Sequence, residues 1–579
     1  MKKAFKHIAW FFKQEWKAYI LCLILLFFVS VVPLIPAKVL GLAIDAFSTG
    51  TLTVKSLVVY VLLLFICPIL TYFVNIFYHY TMTKLGHKLS FQLREKYIFH
   101  LFDMDAELYE KYTKGDLISR ATNDLNGLTS LATSFLQNVI FYTITIVTAV
   151  VMMIMISPIL TLASVAFMPI VIFFLNKARL NKRKYYRTHH EIYATMTESV
   201  LESIEGVKTV RAYCYEDEDF KKTEKAIVAD VESWWKIQKF ESCFSPLFEL
   251  VYAVAYFIAI GLGTYLVIHG DISAGSLVTY LVYVGTLYGP LIGLSGILNT
   301  MNNIVIADQR FTEIMNTLPS VKDEEHPKDI IKFKEISFNN VSFKYPFDDF
   351  EVIKNISFSI KSGETIGIVG PTGAGKSTLI RQLLREFNLT SGEIKIDGND
   401  IKDYKIEDVR NLVGYVPQNH ILFRRSVDDN ILIGNPNANN ETLQKAMMMA
   451  DFKKDLLNLT EGASTMVAEL GESLSGGQKQ RLSIARALVK DPEILILDDS
   501  LSAVDALTEA NIINQLRENR KDKTNIIVAH RFSAVKNADK IIVLQNGVIT
   551  DVGSSKELLK YDNWYKMQYL KQLKGDVYE

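Results

Sequence analysis

The sequence predicts a multidomain membrane protein: an all-α domain of six spanning helices followed by an α/β domain built around a phosphate loop. Three observations predict it. Long apolar runs are confined to the first half, short β-rich segments alternate with helices in the second, and the glycine-rich stretch "GPTGAGKST" stands between a strand and a helix. A chain of 579 residues is too long for one compact core, so two or more domains follow from length alone.

The apolar runs, such as "AYILCLILLFFVSVV" and "SLVVYVLLLFICPILTYFV", match a bilayer core of about 30 Å at about 1.5 Å rise per residue. Spans are expected at Ala18–Ile44, Leu57–Thr83, Gln137–Ile156, Ile159–Asn176, Ser245–His269 and Ser276–Asn299. Their connections alternate between short ("DAFSTGTLTVKS", "SP", "GDISAG") and long. The long ones, after the second and fourth spans, carry Lys84, Lys88, Arg94 and Lys96, then Lys177, Arg179, Lys182, Arg183, Lys184 and Arg187. By the positive-inside rule they are cytoplasmic, and so are the amino terminus and the second half. The opening "MKKAFKHIAWFFKQEWK" suits a helix lying in the interface, and it lacks the pattern of a cleaved signal peptide. Both long connections continue a helical pattern beyond the lipid, with turns expected at Gly115-Asp116 and Gly206. Asn75, His79, Glu249, Asn302 and Asn303 are the polar residues in or beside spans, where hydrogen bonds between helices explain most such groups. Pro33, Pro36, Pro68, Pro158, Pro169, Pro246 and Pro290 kink or end helices.

A net charge of +0 supplies no basic excess for nucleic acid, which is not expected as a partner. The four cysteines form no CxxC pair and read as packed thiols rather than zinc ligands. The domains are expected at 1–310 for the spanning half, 311–334 for a polar linker around "NTLPSVKDEEHPKD", and 335–579 for the nucleotide-binding domain.

In "ETIGIVGPTGAGKSTLIRQLL" a strand runs into the loop and then a helix, the context a phosphate loop requires. Gly370, Thr372, Gly373, Ala374, Gly375 and Thr378 place backbone N–H groups around phosphates, Lys376 brings a point charge to the β and γ groups, and Ser377 is a magnesium ligand. This loop is shared with GTPases and many kinases, so by itself it names no enzyme. "LSGGQKQRLSIARAL" sets Ser475, Gly476, Gly477 and Gln478 at a helix start, a second anion site. One nucleotide does not need two such sites on one chain, so the economical arrangement is a head-to-tail pair of domains.

With those motifs, Tyr345 in "VSFKYP", Gln418 in "GYVPQNH", Asp498 in "ILILDD", "SAVD" ending at Asp505, and His530 in "IIVAHRFSAV", the whole chain resembles the ATP-binding-cassette (ABC) exporters with six spans ahead of one nucleotide-binding domain. The resemblance implies that Tyr345 stacks on adenine and Gln418 joins magnesium to the transmembrane contact. It also implies that Asp498 organises the magnesium shell, Asp505 links the two sites, and His530 contacts the γ-phosphate. The segments around Gly115-Asp116 and Gly206 look like the family's coupling helices. The implied activity is an ATPase coupled to transport, with ATP and Mg2+ as the expected cofactors, in a multi-pass plasma membrane protein of bacterial type.

Where the family carries a glutamate after Asp498, to polarise the attacking water, this chain has Asp499. Aspartate is one methylene shorter, withdrawing the carboxylate by about 1 Å, a misplacement that can slow a reaction about 10²-fold without weakening Mg-ATP. Asp499, His530 and Gln418 are the candidate catalytic residues, and Ser377, Gln418 and Asp498 the candidate metal ligands. The departure resembles the degenerate-site subunit of heterodimeric multidrug exporters, which implies a partner half-transporter bearing the glutamate. Spans with few charges point to hydrophobic or amphipathic cargo from the bilayer or cytosol. A lipid or peptide exporter, a homodimer, and an ATP-gated channel or regulator are the competing readings.

Overall fold

The computed structural model describes residues 1–166, 183–468, 471 and 473–575. Two compact units emerge: Met1–Leu101 with Gly115–Thr317, and Phe102–Lys114 with Leu318–Glu579.

Among its described residues, the regular structure of the first unit is helical. Among the described residues, five helical stretches are long and apolar enough to cross a membrane: Trp16–Ser48, Val54–Phe102, Lys114–Ile156, Glu249–Ile268 and Ala274–Leu294. Of the expected span Ile159–Asn176, only the start is described, within the helix Pro158–Val165; the rest, with Lys177, Arg179 and Lys182, lies outside the described residues. Ser157 caps that helix by accepting the Leu160 N–H. Pro33 and Pro36 act as expected, because proline removes a donor and crowds the preceding turn: the first stretch is α-helical over Trp16–Val31, tightens to a 3₁₀ turn over Val32–Leu34 and resumes over Ile35–Ser48. Pro68, Pro246 and Pro290 sit inside continuous helices.

The spanning helices do run on into polar sequence, Val54 to Phe102 and Glu216 to Ile268. The expected turn at Gly115-Asp116 is displaced. Both residues fall inside the helix Lys114–Ser119, and the non-helical residues are Asp103–Asp105 and Tyr112–Thr113, flanking the short helix Ala106–Lys111. Asp116 is held helical by ion pairs to Arg120 (2.9 Å, one turn on) and Arg310 (2.6 Å), an arrangement that Gly-Asp composition cannot announce. Gly206 does separate two helices, Arg183–Glu205 and Val207–Ala212.

The helix Ala274–Met315 anchors the first unit's core. Tyr280 and Tyr283 are fully buried, their hydroxyls meeting Ser164 Oγ (2.6 Å) and the Leu34 carbonyl (3.3 Å). Gly41 and Gly275 let two backbones touch, since a Cβ on either would strike the other's carbonyl. Small residues serve close helix approach in lipid in this way. His79 lines a cavity with Arg94, Asn126 and Gln137.

Among the described residues, the second unit carries two sheets. The smaller has the order β2-β1-β4-β5, formed by Glu335–Phe343 (β1), Ile353–Lys361 (β2), Ser391–Ile396 (β4) and Asn399–Asp400 (β5), all antiparallel. The larger has the order β10-β9-β3-β8-β7-β6, from Thr365–Val369 (β3), Val413–Val416 (β6), Ile494–Asp498 (β7), Thr524–Val528 (β8), Lys540–Gln545 (β9) and Val548–Gly553 (β10). β6, β7, β8, β3 and β9 are parallel, and β10 closes the edge antiparallel to β9. "ILILD" and "TNIIV" are buried at every residue, the continuous apolar pattern of strands covered on both faces. The segment Phe102–Lys114 belongs to this unit because Asp105 accepts from Ser320 Oγ (2.7 Å) and Val321 N (2.9 Å) and Ala106 packs on the core.

Candidate functional site

Parallel strands deliver ligand-binding groups from their carboxyl ends, and the larger sheet does so four times. β3 runs into the phosphate loop, β6 into Gln418, β7 into Asp498 and Asp499, and β8 into His530. These termini surround a cavity of about 200 Å³ lined by Thr372, Gly373, Ala374, Gly375, Lys376, Ser377, Thr378, Gln418, Asp498, Asp499 and His530.

The loop's glycines have physical work. Gly373 (φ 80°) and Gly375 (φ 94°) adopt left-handed backbone, and a Cβ on Gly370 would strike the Leu544 carbonyl. The helix Lys376–Leu383 then starts with its free N–H groups at the cavity. Lys376 is 7% exposed, and its ammonium bridges the carbonyls of Gly370 (2.8 Å) and Pro371 (3.0 Å) across its own loop. Burial lowers its pKa, an effect opposed by the carboxylates of Asp499 and Asp498.

Asp498 is almost wholly buried. Ser377 Oγ donates to its Oδ1 (2.8 Å) and Tyr415 OH to its Oδ2 (3.2 Å). Burial raises the carboxyl pKa, and the two hydrogen bonds counter that. Hydroxyl, carboxylate and amide oxygens at Ser377, Asp498 and Gln418 are the hard donors a magnesium ion takes, so this donor set fits Mg2+. Asp499, next in chain, has left-handed backbone (φ 47°), and its Oδ2 lies 3.5 Å from Gln418 Nε2.

Tyr345 is tied to the helix Lys376–Leu383 rather than lining the cavity: its hydroxyl lies 3.1 Å from Thr378 Oγ1 and accepts from Arg381 Nη1 at 3.2 Å. Ser475, Gly476, Gly477, Gln478 and Asp505 do not line the cavity. Ser475 caps the helix Gly476–Leu488 through a reciprocal box: Gln478 N donates to Ser475 Oγ (3.3 Å) and Ser475 N to Gln478 Oε1 (2.9 Å). Asp505 caps Ala506–Asn519 by accepting from Thr508 N (2.9 Å). A Cβ on Gly477 would stand 3.5 Å from the Ala503 carbonyl, which sets the two helix starts side by side, away from the phosphate loop's cavity.

Three contacts escape the sequence reading. Tyr415 braces Asp498, and its only signal is a polar tip in the strand "VGYV", three residues before Gln418. Arg381 joins Tyr345 to Glu386 and stands 3.6 Å from Glu110 on the segment Phe102–Lys114. Gln572 reaches the turn after His530, with no motif to announce it.

Fold and site together define a multi-pass membrane protein with a phosphate-loop nucleotide-binding domain. The model of the ABC transporter transmembrane region matches residues 19–291, and the model described as ABC transporter matches residues 353–502. The chain is 38% identical over 574 residues to the probable multidrug resistance ABC transporter ATP-binding/permease protein YheI of Bacillus subtilis, covering 99% of this chain and 98% of that one. It is 30% identical over 572 residues to the multidrug resistance-like ATP-binding protein MdlA of Escherichia coli, covering 98% and 96%. A solved bacterial Atm1-family ABC exporter with ATP bound has the same fold, with a TM-score of 0.81 at 24% identity over 97% of this chain and 99% of that one. The chain belongs to the ABC transporter family, whose ATP-binding domain makes it an ATPase coupled to transport.

Proposed function

We propose that this chain is one subunit of an ATP-driven exporter that moves hydrophobic or amphipathic compounds out across the bacterial cytoplasmic membrane, with six spans and its nucleotide-binding domain and amino terminus in the cytosol. It works with a second ABC half-transporter, and its own ATP site turns over poorly. The observation that carries this reading is Asp499 in the position following Asp498 on β7.

Lys376 and Ser377 hold the phosphates, Tyr345 the adenine, and Asp498 with Ser377 and Gln418 the magnesium ion, which supplies charge neutralisation to the β and γ groups. None of these depends on the length of residue 499. Orientation of water does, and a carboxylate set back by about 1 Å costs about 10²-fold in rate. ATP is therefore bound here and split slowly. Ser475, Gly476 and Gly477 complete the productive site on the partner's phosphate loop, and Asp505 lies between the two sites. The relatives' multidrug names and the sparsely charged spans support amphipathic cargo.

The test is ATPase activity of the purified pair. Asp499→Asn should change it less than about two-fold, whereas removing the partner's equivalent glutamate should cost about 10² to 10³-fold. Equal losses from the two substitutions would show two equivalent sites and reject the asymmetric assignment.

A further inference from the structure

His530 is held by a device outside the motifs. The turn that follows it, His530 to Ser533, is gripped from two sides. On one side stands Gln572, on the helix Trp564–Gly575. Its Nε2 donates to the His530 carbonyl at 2.8 Å, and its Oε1 accepts from the Phe532 N–H at 3.0 Å. One planar amide thus fixes the backbone on both flanks of Arg531. The helix is seated by aromatic packing around Phe532: Tyr565 meets it edge-on at 4.9 Å, and Tyr565 is fully buried with its hydroxyl 2.9 Å from Ser555 Oγ. On the other side stands Glu509, 2% exposed on the helix Ala506–Asn519, accepting from Ser533 Oγ and from Arg531 Nη1 (3.4 Å). Arg531 Nη1 also donates to the Val504 carbonyl at 3.0 Å.

We propose that Gln572 is a positioning residue for His530, holding the turn so that the imidazole meets the terminal phosphate of the nucleotide on this chain's phosphate loop. Gln572 thereby sets how strongly the site prefers ATP to ADP. This rests on the reading of His530 as a γ-phosphate contact. The chemistry is specific to an amide, which donates and accepts at once; a carboxylate of the same shape keeps the bond from Phe532 N–H but turns an acceptor oxygen on the His530 carbonyl. Packing alone would not distinguish the two.

The experiment measures dissociation constants of the full chain in lipid nanodiscs for a magnesium-bound non-hydrolysable ATP analogue and for Mg-ADP. Wild type is compared with His530→Ala, Gln572→Ala, Gln572→Glu and the double variant Gln572→Ala/His530→Ala. His530→Ala should weaken the ATP analogue about ten-fold, the scale of one hydrogen bond to a charged group, and leave ADP within about two-fold. Both Gln572 variants should reproduce most of that loss, and the double variant should lose no more than His530→Ala. An ATP-to-ADP ratio kept by the Gln572 variants but lowered by His530→Ala would overturn the role of Gln572 and leave that of His530 standing. Equal weakening of both nucleotides, or an additive double variant, would overturn it as well. No change in any variant would remove the reading of His530 and the role of Gln572 with it.

Discussion

Asp498 is a carboxylate that burial penalises, and Ser377 and Tyr415 hold it in place. A hydrogen bond to a charged group contributes about 1.5 to 3 kcal/mol, and Ser377 still serves the carboxylate when Tyr415 is shortened. Tyr415→Phe should therefore destabilise the protein by about 1 to 2 kcal/mol in chemical denaturation without nucleotide, at the lower end of that range because one donor remains. Unchanged stability would mean that the 3.2 Å contact contributes nothing. Asp499 differs. Its Oδ2 meets Gln418 Nε2 at 3.5 Å, a longer and weaker contact than the two that hold Asp498.

At the scale of elements, helix starts carry much of the chemistry, and each is specified by its cap. Asp505 accepts the Thr508 N–H, and that bond holds its carboxyl below the usual carboxylate range. A depressed carboxylate contributes stability above its unfolded pKa and loses it as the pH falls through the folded value. Asparagine caps about as well but does not titrate. The melting temperature of wild type should therefore exceed that of Asp505→Asn at pH 7, and the gap should narrow as the pH falls below about 4, the unperturbed aspartate value, toward the depressed folded one. A gap independent of pH would show that the cap's charge contributes nothing. The short helix Ala106–Lys111 makes the complementary point: it packs with the nucleotide-binding unit although it lies between two membrane-spanning stretches in sequence.

At the scale of the whole molecule, the question is whether ATP drives concentration of cargo or only opens a path. Inside-out vesicles holding this chain and a glutamate-bearing partner should accumulate an amphipathic fluorescent cation against its gradient when Mg-ATP is added, and Lys376→Ala should reduce the rate several-fold. A ligand shifts a conformational equilibrium only by its differential affinity for the two states, so losing the phosphate contact at one site weakens the drive. Equilibration of dye without concentration would identify an ATP-gated channel instead.

Sequence by itself determined whatever is local. The phosphate loop is legible because its glycines, Lys376 and Ser377 act within a few residues of one another, and the caps at Ser475 and Asp505 because each closes on a residue three positions away. Span-length apolar runs are legible because lipid imposes one length on any helix that crosses it. Tertiary structure alone decided the pairings between distant segments: Tyr415 with Asp498, Gln572 with His530, Gly41 against Gly275, and Asp105 with Val321. It also moved the turn expected at Gly115-Asp116, because Arg310, nearly two hundred positions away, holds Asp116 in a helix. The physical reason is that a motif's geometry is set by a short run of backbone dihedrals. A long-range contact instead depends on strand order and helix packing, which bring together residues that no spacing along the chain connects.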